Sequence, residues 1–166
     1  MYDCYFAGSG TKIVLDEMRK TGCNQLLSQL NERKAILDWV EYLKQHPECK
    51  SKLFIDSGAY SAHTKGVTVD VDEYIDFMNE IDDYVTIYAQ VDTIPGRFGQ
   101  PRTEKDIKEA PEKSWQNYLY MISKAKSPDK VLPVYHQGED IKWLKNMLEF
   151  RHPDGHPIQY IGISSA

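Results

Sequence analysis

With 166 residues, 41% of them hydrophobic and 27% charged, the chain has the size and composition of one globular domain with a real core. A net charge of −5 gives no bulk attraction to nucleic acid, although a local basic patch remains compatible with it. No apolar run is long enough to cross a bilayer, and Met1-Tyr2-Asp3-Cys4 lacks the basic region and apolar stretch of a signal peptide.

Six strand-like runs alternate with helical patterns. The first covers residues 2–7 and ends in the turn-forming cluster Gly8-Ser9-Gly10. The second, residues 24–30, reads equally as a strand or a short helix. Ile36, Leu37, Val40 and Leu43 then form one apolar face on a helix over 32–45, stopped before Pro47. Lys52-Leu53-Phe54-Ile55 is a buried strand leading into Asp56-Ser57-Gly58-Ala59-Tyr60-Ser61. Asp70 with Glu73 resembles a capping box and opens a helix carrying Tyr74, Ile75, Phe77, Met78 and Ile81.

The fourth strand, residues 84–92, ends in Asp92 and feeds a long Pro- and Gly-rich connection over 93–110. Connections of that length are usually functional or mobile. Arg97, Arg102 and Lys105 on it are placed to meet phosphates, with a solvated excursion as the plain alternative. Pro111 suits a first helical turn, followed by the stripe Trp115, Tyr118, Leu119 and Ile122. The fifth strand is Val131-Leu132-Pro133-Val134-Tyr135-His136, ending in Gln137-Gly138. Ile141, Leu144 and Leu148 mark the last helix, and residues 158–163 the sixth strand. This alternation predicts an α/β fold with a parallel sheet and outer helices.

Parallel α/β folds place their chemistry at the carboxyl edge of the sheet. Asp56, Asp92 and Gln137 each follow an apolar run, and Gly162 offers a backbone that can be approached closely, so one polar pocket built from successive strand ends is expected. The cysteines Cys4, Cys23 and Cys49 are odd in number and widely spaced, which argues against a disulfide framework or a structural zinc site and predicts a reducing, cytoplasmic setting. His152 and His156 are four apart, but Pro153, Gly155 and Pro157 exclude a helical metal face, and both read as surface-turn residues. His136 is expected to point away from Gln137, because strand side chains alternate. His63 and Lys65 read as loop residues that could touch a phosphate or sugar.

The order Asp56-Ser57-Gly58-small-aromatic, then a strand ending in Asp92, then Gln137-Gly138, then Ile161-Gly162 resembles the tRNA-guanine (queuine) transglycosylase superfamily. Tyr5-Phe6-Ala7-Gly8-Ser9 and Asp-Ser-Gly-Ala-Tyr-Ser-Ala are more similar to its phage and bacterial 7-deazaguanine DNA-modification branch than to the tRNA enzymes. The resemblance implies a (β/α)8 TIM barrel, of which the chain would supply about six units as a single partial barrel over residues 1–166; whole barrels need roughly 250 residues. It also implies exchange of guanine for a 7-deazapurine in tRNA or DNA. Asp56 would be the catalytic acid/base near the sugar. Ser57, Asp92, Gln137 and Gly162 would hold the base, Ser57 and Gly58 also shaping the turn.

Guanine recognition needs an acceptor for N1–H and the 2-amino group and a donor for O6, which a carboxylate and an amide or backbone N–H supply. Simpler roles stand beside these: loop caps for Asp56 and Asp92, strand-end hydrogen bonding for Gln137, and close strand packing for Gly162. Tyr60 either stacks on the base or packs in the core, while Tyr88 and Tyr135 read as core. The family's nucleophilic aspartate and the Cys-Cys-Cys-His zinc site of the tRNA enzymes have no matching positions here, so no cofactor is expected and a fragment is favoured over a complete enzyme. Expected partners are guanine or 7-deazaguanine, tRNA or DNA, and a complementing C-terminal segment or second copy, with no membrane. Competing classes are a non-catalytic nucleobase-binding module and an unrelated TIM-barrel hydrolase or lyase using Asp56 and Asp92.

Overall fold

The structure is a computed structural model that describes residues 3–8 and 11–164; Tyr2, Ser9 and Gly10 of the expected first strand and turn lie outside them. Five strands form one parallel sheet in the order β1 (Tyr5–Phe6), β2 (Asn24–Ser28), β3 (Leu53–Asp56), β4 (Ile87–Ala89) and β5 (Val131–Leu132). Two more, β6 (Val134–His136) and β7 (Gly162–Ser164), pair in parallel with each other. The helices are α1 (Lys12–Thr21), α2 (Gln29–Gln45), α3 (Ala59–Thr64), α4 (Val71–Ile81), α5 (Glu104–Lys124) and α6 (Ile141–Glu149).

In the five-stranded sheet each strand lies beside its predecessor in sequence, with no reversal of order. The single apolar run at 131–136 is split by Pro133, which has no N–H to give to a ladder. Before the proline, Leu132 O accepts from Gln90 N at 3.0 Å; at the proline, Pro133 O accepts from Gly162 N at 2.8 Å. One run therefore passes its hydrogen bonding from β4 on one side to β7 on the other.

Strand alternation divides the sheet into two faces. Leu27, Leu53, Ile55 and Tyr88 are fully buried and pack with Ile36 and Trp39 of α2, Tyr74, Phe77 and Met78 of α4, and Tyr118 and Met121 of α5. On the opposite face Leu26, Phe54, Leu132 and Val134 are only half-buried and floor a cavity.

Segment 24–30, ambiguous in sequence, resolves into strand and then helix. Glu32 breaks regular helical geometry inside α2, and its carboxylate reaches back to Ser28 N at 2.9 Å, satisfying a donor at the helix entry. Asp70 caps α4 by accepting from Glu73 N at 3.0 Å, but the Glu73 side chain pairs with Arg33 instead of completing a capping box. Two helices escape the periodicity. In α1, Ile13 and Val14 are exposed, and the apolar side that meets the core is only Leu15 with the partly buried Met18. α3 spans a mere six residues.

Pro111 is not in a first turn. Thr103 and Asp106 form a full capping box that starts α5 at Glu104, leaving Pro111 in the helix interior. The connection after Asp92 is correspondingly shorter than expected, and Lys105 sits on α5, paired with Glu109 at 3.6 Å.

Gly58 joins β3 to α3 with φ +81, and a Cβ built there would lie 2.4 Å from the Leu30 Cβ. Both the left-handed backbone and the close approach demand glycine. Gly58→Ala should therefore cost about 2–5 kcal/mol, from left-handed strain plus overpacking. Gly66, with φ +69 and open space where a Cβ would go, should lose only about 1–2 kcal/mol as Gly66→Ala. Urea unfolding of the two variants checks the difference; equal losses would mean that the Leu30 contact is relieved freely.

Candidate functional site

Because all the ladders are parallel, the strand ends point to one edge. Asp56, Ser57, Asp92, Gln137 and Gly162 all line a single cavity of about 600 Å³ above the half-buried sheet face. Asp56 closes β3 on the same face as Phe54, so alternation alone aims it into the cavity. Its Oδ2 accepts from Gly58 N at 3.0 Å, and its other oxygen has no protein partner among the described residues. Burial pushes the Asp56 carboxyl above its ordinary value; the Gly58 N–H opposes that shift, and the charges of Asp92 and Glu32 add to it.

Asp92 follows β4 on backbone that is fixed from α5. Asn117 Nδ2 donates to Val91 O at 2.9 Å, and Thr93 N donates to Ser114 Oγ at 2.9 Å, so the residues on both sides of Asp92 are tied to one helix. The Tyr74 hydroxyl of α4 is shared between Ile55 O at 3.3 Å and Ala89 O at 3.2 Å, locking the ends of β3 and β4 together. The Asp92 carboxylate is itself oriented: Oδ1 accepts from Gln90 Nε2 at 2.7 Å, and Oδ2 lies 3.3 Å from His136 Nε2.

His136 corrects the expectation from alternation. It is the last residue of β6 and shares a face with Val134, whereas Gln137 already lies in the following turn, so both line the cavity. The His136 ring bridges two carboxylates, with Nδ1 at 3.1 Å from Glu139 Oε1 and Nε2 toward Asp92. Hydrogen bonds to Asp92 and then Glu139 push its pKa up to about 10, against the opposing effect of burial. His136 and Glu139 are the site residues that sequence reasoning missed. The signal for Glu139 was its place three residues after a strand-terminal histidine.

The remaining candidates divide. The Gln137 side-chain amide is exposed and has no partner among the described residues, so it can meet a ligand. Ser57 is buried, and its Oγ accepts from Ala59 N at 3.4 Å, a role within the turn. Gly162 spends its N–H on Pro133 O, and a Cβ there would stand 3.1 Å from Val134 Cγ2, so close strand packing accounts for the glycine. Tyr60 is 66% exposed at the cavity and free to stack on a planar ligand, while Tyr88 is buried and donates to Met78 O at 3.0 Å. Tyr135 is half-buried, with its hydroxyl on Glu139 O at 2.8 Å. Arg102 lines the cavity without an ion-pair partner among the described residues. His63 packs edge-to-face on Phe98, with ring centres 6.3 Å apart.

The arrangement can hold a flat polar ligand between Asp92 and Gln137, with Asp56 placed to give or take a proton. Elsewhere, the expectation for His152 fails: it is 6% exposed, beneath Phe150, rather than on a surface turn. The three cysteines are free. Among the described residues no helix is long and apolar enough to cross a membrane.

A histidine whose folded pKa lies above its unfolded value of about 6.5 stabilises the fold fully below that value. The contribution is lost as pH rises through about 10. His136→Gln should thus be most destabilising near pH 6 and converge on the wild type above pH 10, as read from paired denaturation series. At pH 8 the His136 ring should still show two N–H protons in nitrogen-correlated NMR. A singly protonated ring there would remove the Asp92–His136–Glu139 clamp.

Comparison with protein-family models, with curated proteins and with solved structures finds no match to this chain. The cavity residues are therefore the basis for a functional reading.

Proposed function

We propose that the cavity binds guanine or a 7-deazaguanine and that the chain is the base-recognising part of a transglycosylase that exchanges the purine in tRNA or DNA. The observation that carries this reading is that Asp56, Asp92 and Gln137, which end three separate runs of the sequence, line one cavity. The unreversed strand order and the half-buried inner face support the first six units of a (β/α)8 barrel as the finer fold.

In this reading the Asp92 carboxylate accepts N1–H and the 2-amino group of the purine. Each carboxylate oxygen has two lone-pair directions, and Gln90 and His136 engage one on each, leaving one on each for the base. Gln137 donates its amide to O6. Tyr60 stacks on the ring from the exposed side, and Arg102 meets a phosphate of the polymer. Adenine is rejected because its edge would leave these groups unpaired. Asp56, biased by burial toward its protonated form, gives a proton to the departing purine and takes one from the incoming base.

Asp92→Asn replaces one acceptor by a donor and should lower the affinity for a soluble 7-deazaguanine roughly tenfold to hundredfold, the effect of about 1.5–3 kcal/mol for a hydrogen bond to a charged group. Calorimetric titration of both proteins reads this directly. Equal affinities would take Asp92 out of the recognition site. Absence of binding by the wild type would overturn the purine reading in favour of a hydrolase or lyase using Asp56 and Asp92 as an acid/base pair.

The carboxylate that would carry a ribosyl intermediate has no matching position in residues 1–166, so the chain alone should leave tRNA and duplex DNA unlabelled when incubated with labelled guanine. Label incorporated by the wild type and lost in Asp56→Ala would place a nucleophile within these residues, and Glu139→Gln would then test the third carboxylate of the cavity.

A further inference from the structure

At the amino end of the sheet, opposite the cavity, a second polar cluster forms around the entry to β5. Asp129 sits in the 3-10 turn Pro128–Lys130 that leads into Val131. His152 and His156 sit on the hairpin that follows α6, whose arms bridge at Arg151 and Pro157. That hairpin is held by His152 N on His156 O at 2.9 Å and Gly155 N on His152 O at 2.8 Å, with Gly155 at φ 94. We propose that Asp129, His152 and His156 bind a transition-metal dication of the zinc class.

The geometry is that of donors around a common centre. Asp129 Oδ1 is 3.2 Å from His156 Nε2 and 3.9 Å from His152 Nδ1, and one ligand atom from each residue falls within 4.8 Å of the others. Bonds of about 2.0–2.1 Å in a tetrahedron place ligand atoms about 3.3–3.4 Å apart, so small side-chain adjustments close the set. Asp154 Oδ2 also lies 3.0 Å from His156 Nε2, outside the three donors that share a centre. Two imidazoles with carboxylates favour zinc, cobalt or nickel over magnesium or calcium, which prefer all-oxygen sites.

A plain ion-pair cluster accounts well for His156, at 3.2 Å and 3.0 Å from two carboxylates, and less well for His152, at 3.9 Å from one. His152 is 6% exposed, and neither of its ring nitrogens makes a hydrogen bond among the described residues. It faces a hollow of about 570 Å³ that Asp129 also lines. Phe150 holds the ring in place, edge-to-face at 5.4 Å, and is itself packed on Trp115 and Tyr118. A largely buried imidazole of fixed orientation, with no hydrogen bond and only a 3.9 Å contact to a carboxylate, is suited to act as a ligand. An ion bound there would clamp the hairpin after α6 to the start of β5, a structural role independent of the purine reading.

The test titrates the full, metal-stripped chain with Zn²⁺, and with Co²⁺ as a spectroscopic probe. The expected results are one Zn²⁺ per chain by elemental analysis, a raised melting temperature, and a tetrahedral Co²⁺ visible band without thiolate charge transfer. His156→Gln and Asp129→Asn, both at exposed or half-exposed positions, should each weaken Zn²⁺ binding at least about 100-fold, the upper end of what losing a mere outer-shell partner costs. Sub-stoichiometric binding by the wild type, or 1:1 binding unchanged in both variants, would overturn the site. Thiolate charge transfer in the Co²⁺ spectrum would also overturn it, by assigning the ion to cysteine.

Discussion

A parallel ladder between consecutive strands constrains everything else in this chain. Two neighbouring strands can run the same way only if the connection crosses back over the sheet, and each crossing here carries helix that buries one sheet face. The consequence for chemistry is directional. Every strand delivers its last residue to the same edge, so residues far apart in sequence, Asp56, Asp92 and His136, arrive together without any local motif linking them. The exact placement is then set by bonds from the helices: Tyr74 across β3 and β4, and Asn117 with Ser114 on either side of Asp92. These bonds position the site through backbone, while Ile107, Ala110 and Pro111 of α5 also line the cavity.

Charge in the cavity is arranged so that no carboxylate there depends on solvent alone. His136 lies between Asp92 and Glu139, Gln90 donates to Asp92, and Gly58 N–H donates to Asp56. Asp56, unlike Asp92, has no histidine against it, and burial together with its acidic neighbours moves its carboxyl above the ordinary value. Two carboxylates in one cavity with environments this different are suited to different tasks. One is fixed as a hydrogen-bond acceptor, and the other is biased by burial toward its protonated form, as the proposed proton transfer requires.

How much of this was legible follows from what each signal depends on. The carboxyl ends of β3 and β4 were legible because an aspartate after an apolar run needs only local pattern, and the α4 start because Asp70 caps by a local bond. The helix-start preference of Pro111 is overridden by the capping box of Thr103 and Asp106 upstream, which starts the helix about two turns earlier. α1 carries only a short apolar side, Leu15 and Met18, although Gly22, with its N–H on Arg19 O, marks its end as sequence rules expect. Alternation does not separate His136 from Gln137, because the strand ends at His136 and Gln137 belongs to the turn. The pairing of Asp129 with His152 and His156 was out of reach, since it depends on how the hairpin after α6 folds back onto β5.

Pro133 connects these observations. The short run 131–136 joins the polar groups at the two ends of the sheet. Asp129 stands just before it in the His152–His156 cluster, and His136 and Gln137 stand at its far end in the cavity. With no N–H at Pro133, the run cannot pair along its whole length with β4, and its second half is held instead by β7 and by the two carboxylates that grip His136. Each half makes only a short ladder, of two residue pairs with β4 and three with β7. Side-chain contacts add to these at either end: Asp129 with His156 before the run, and Asp92 and Glu139 with His136 at its exit.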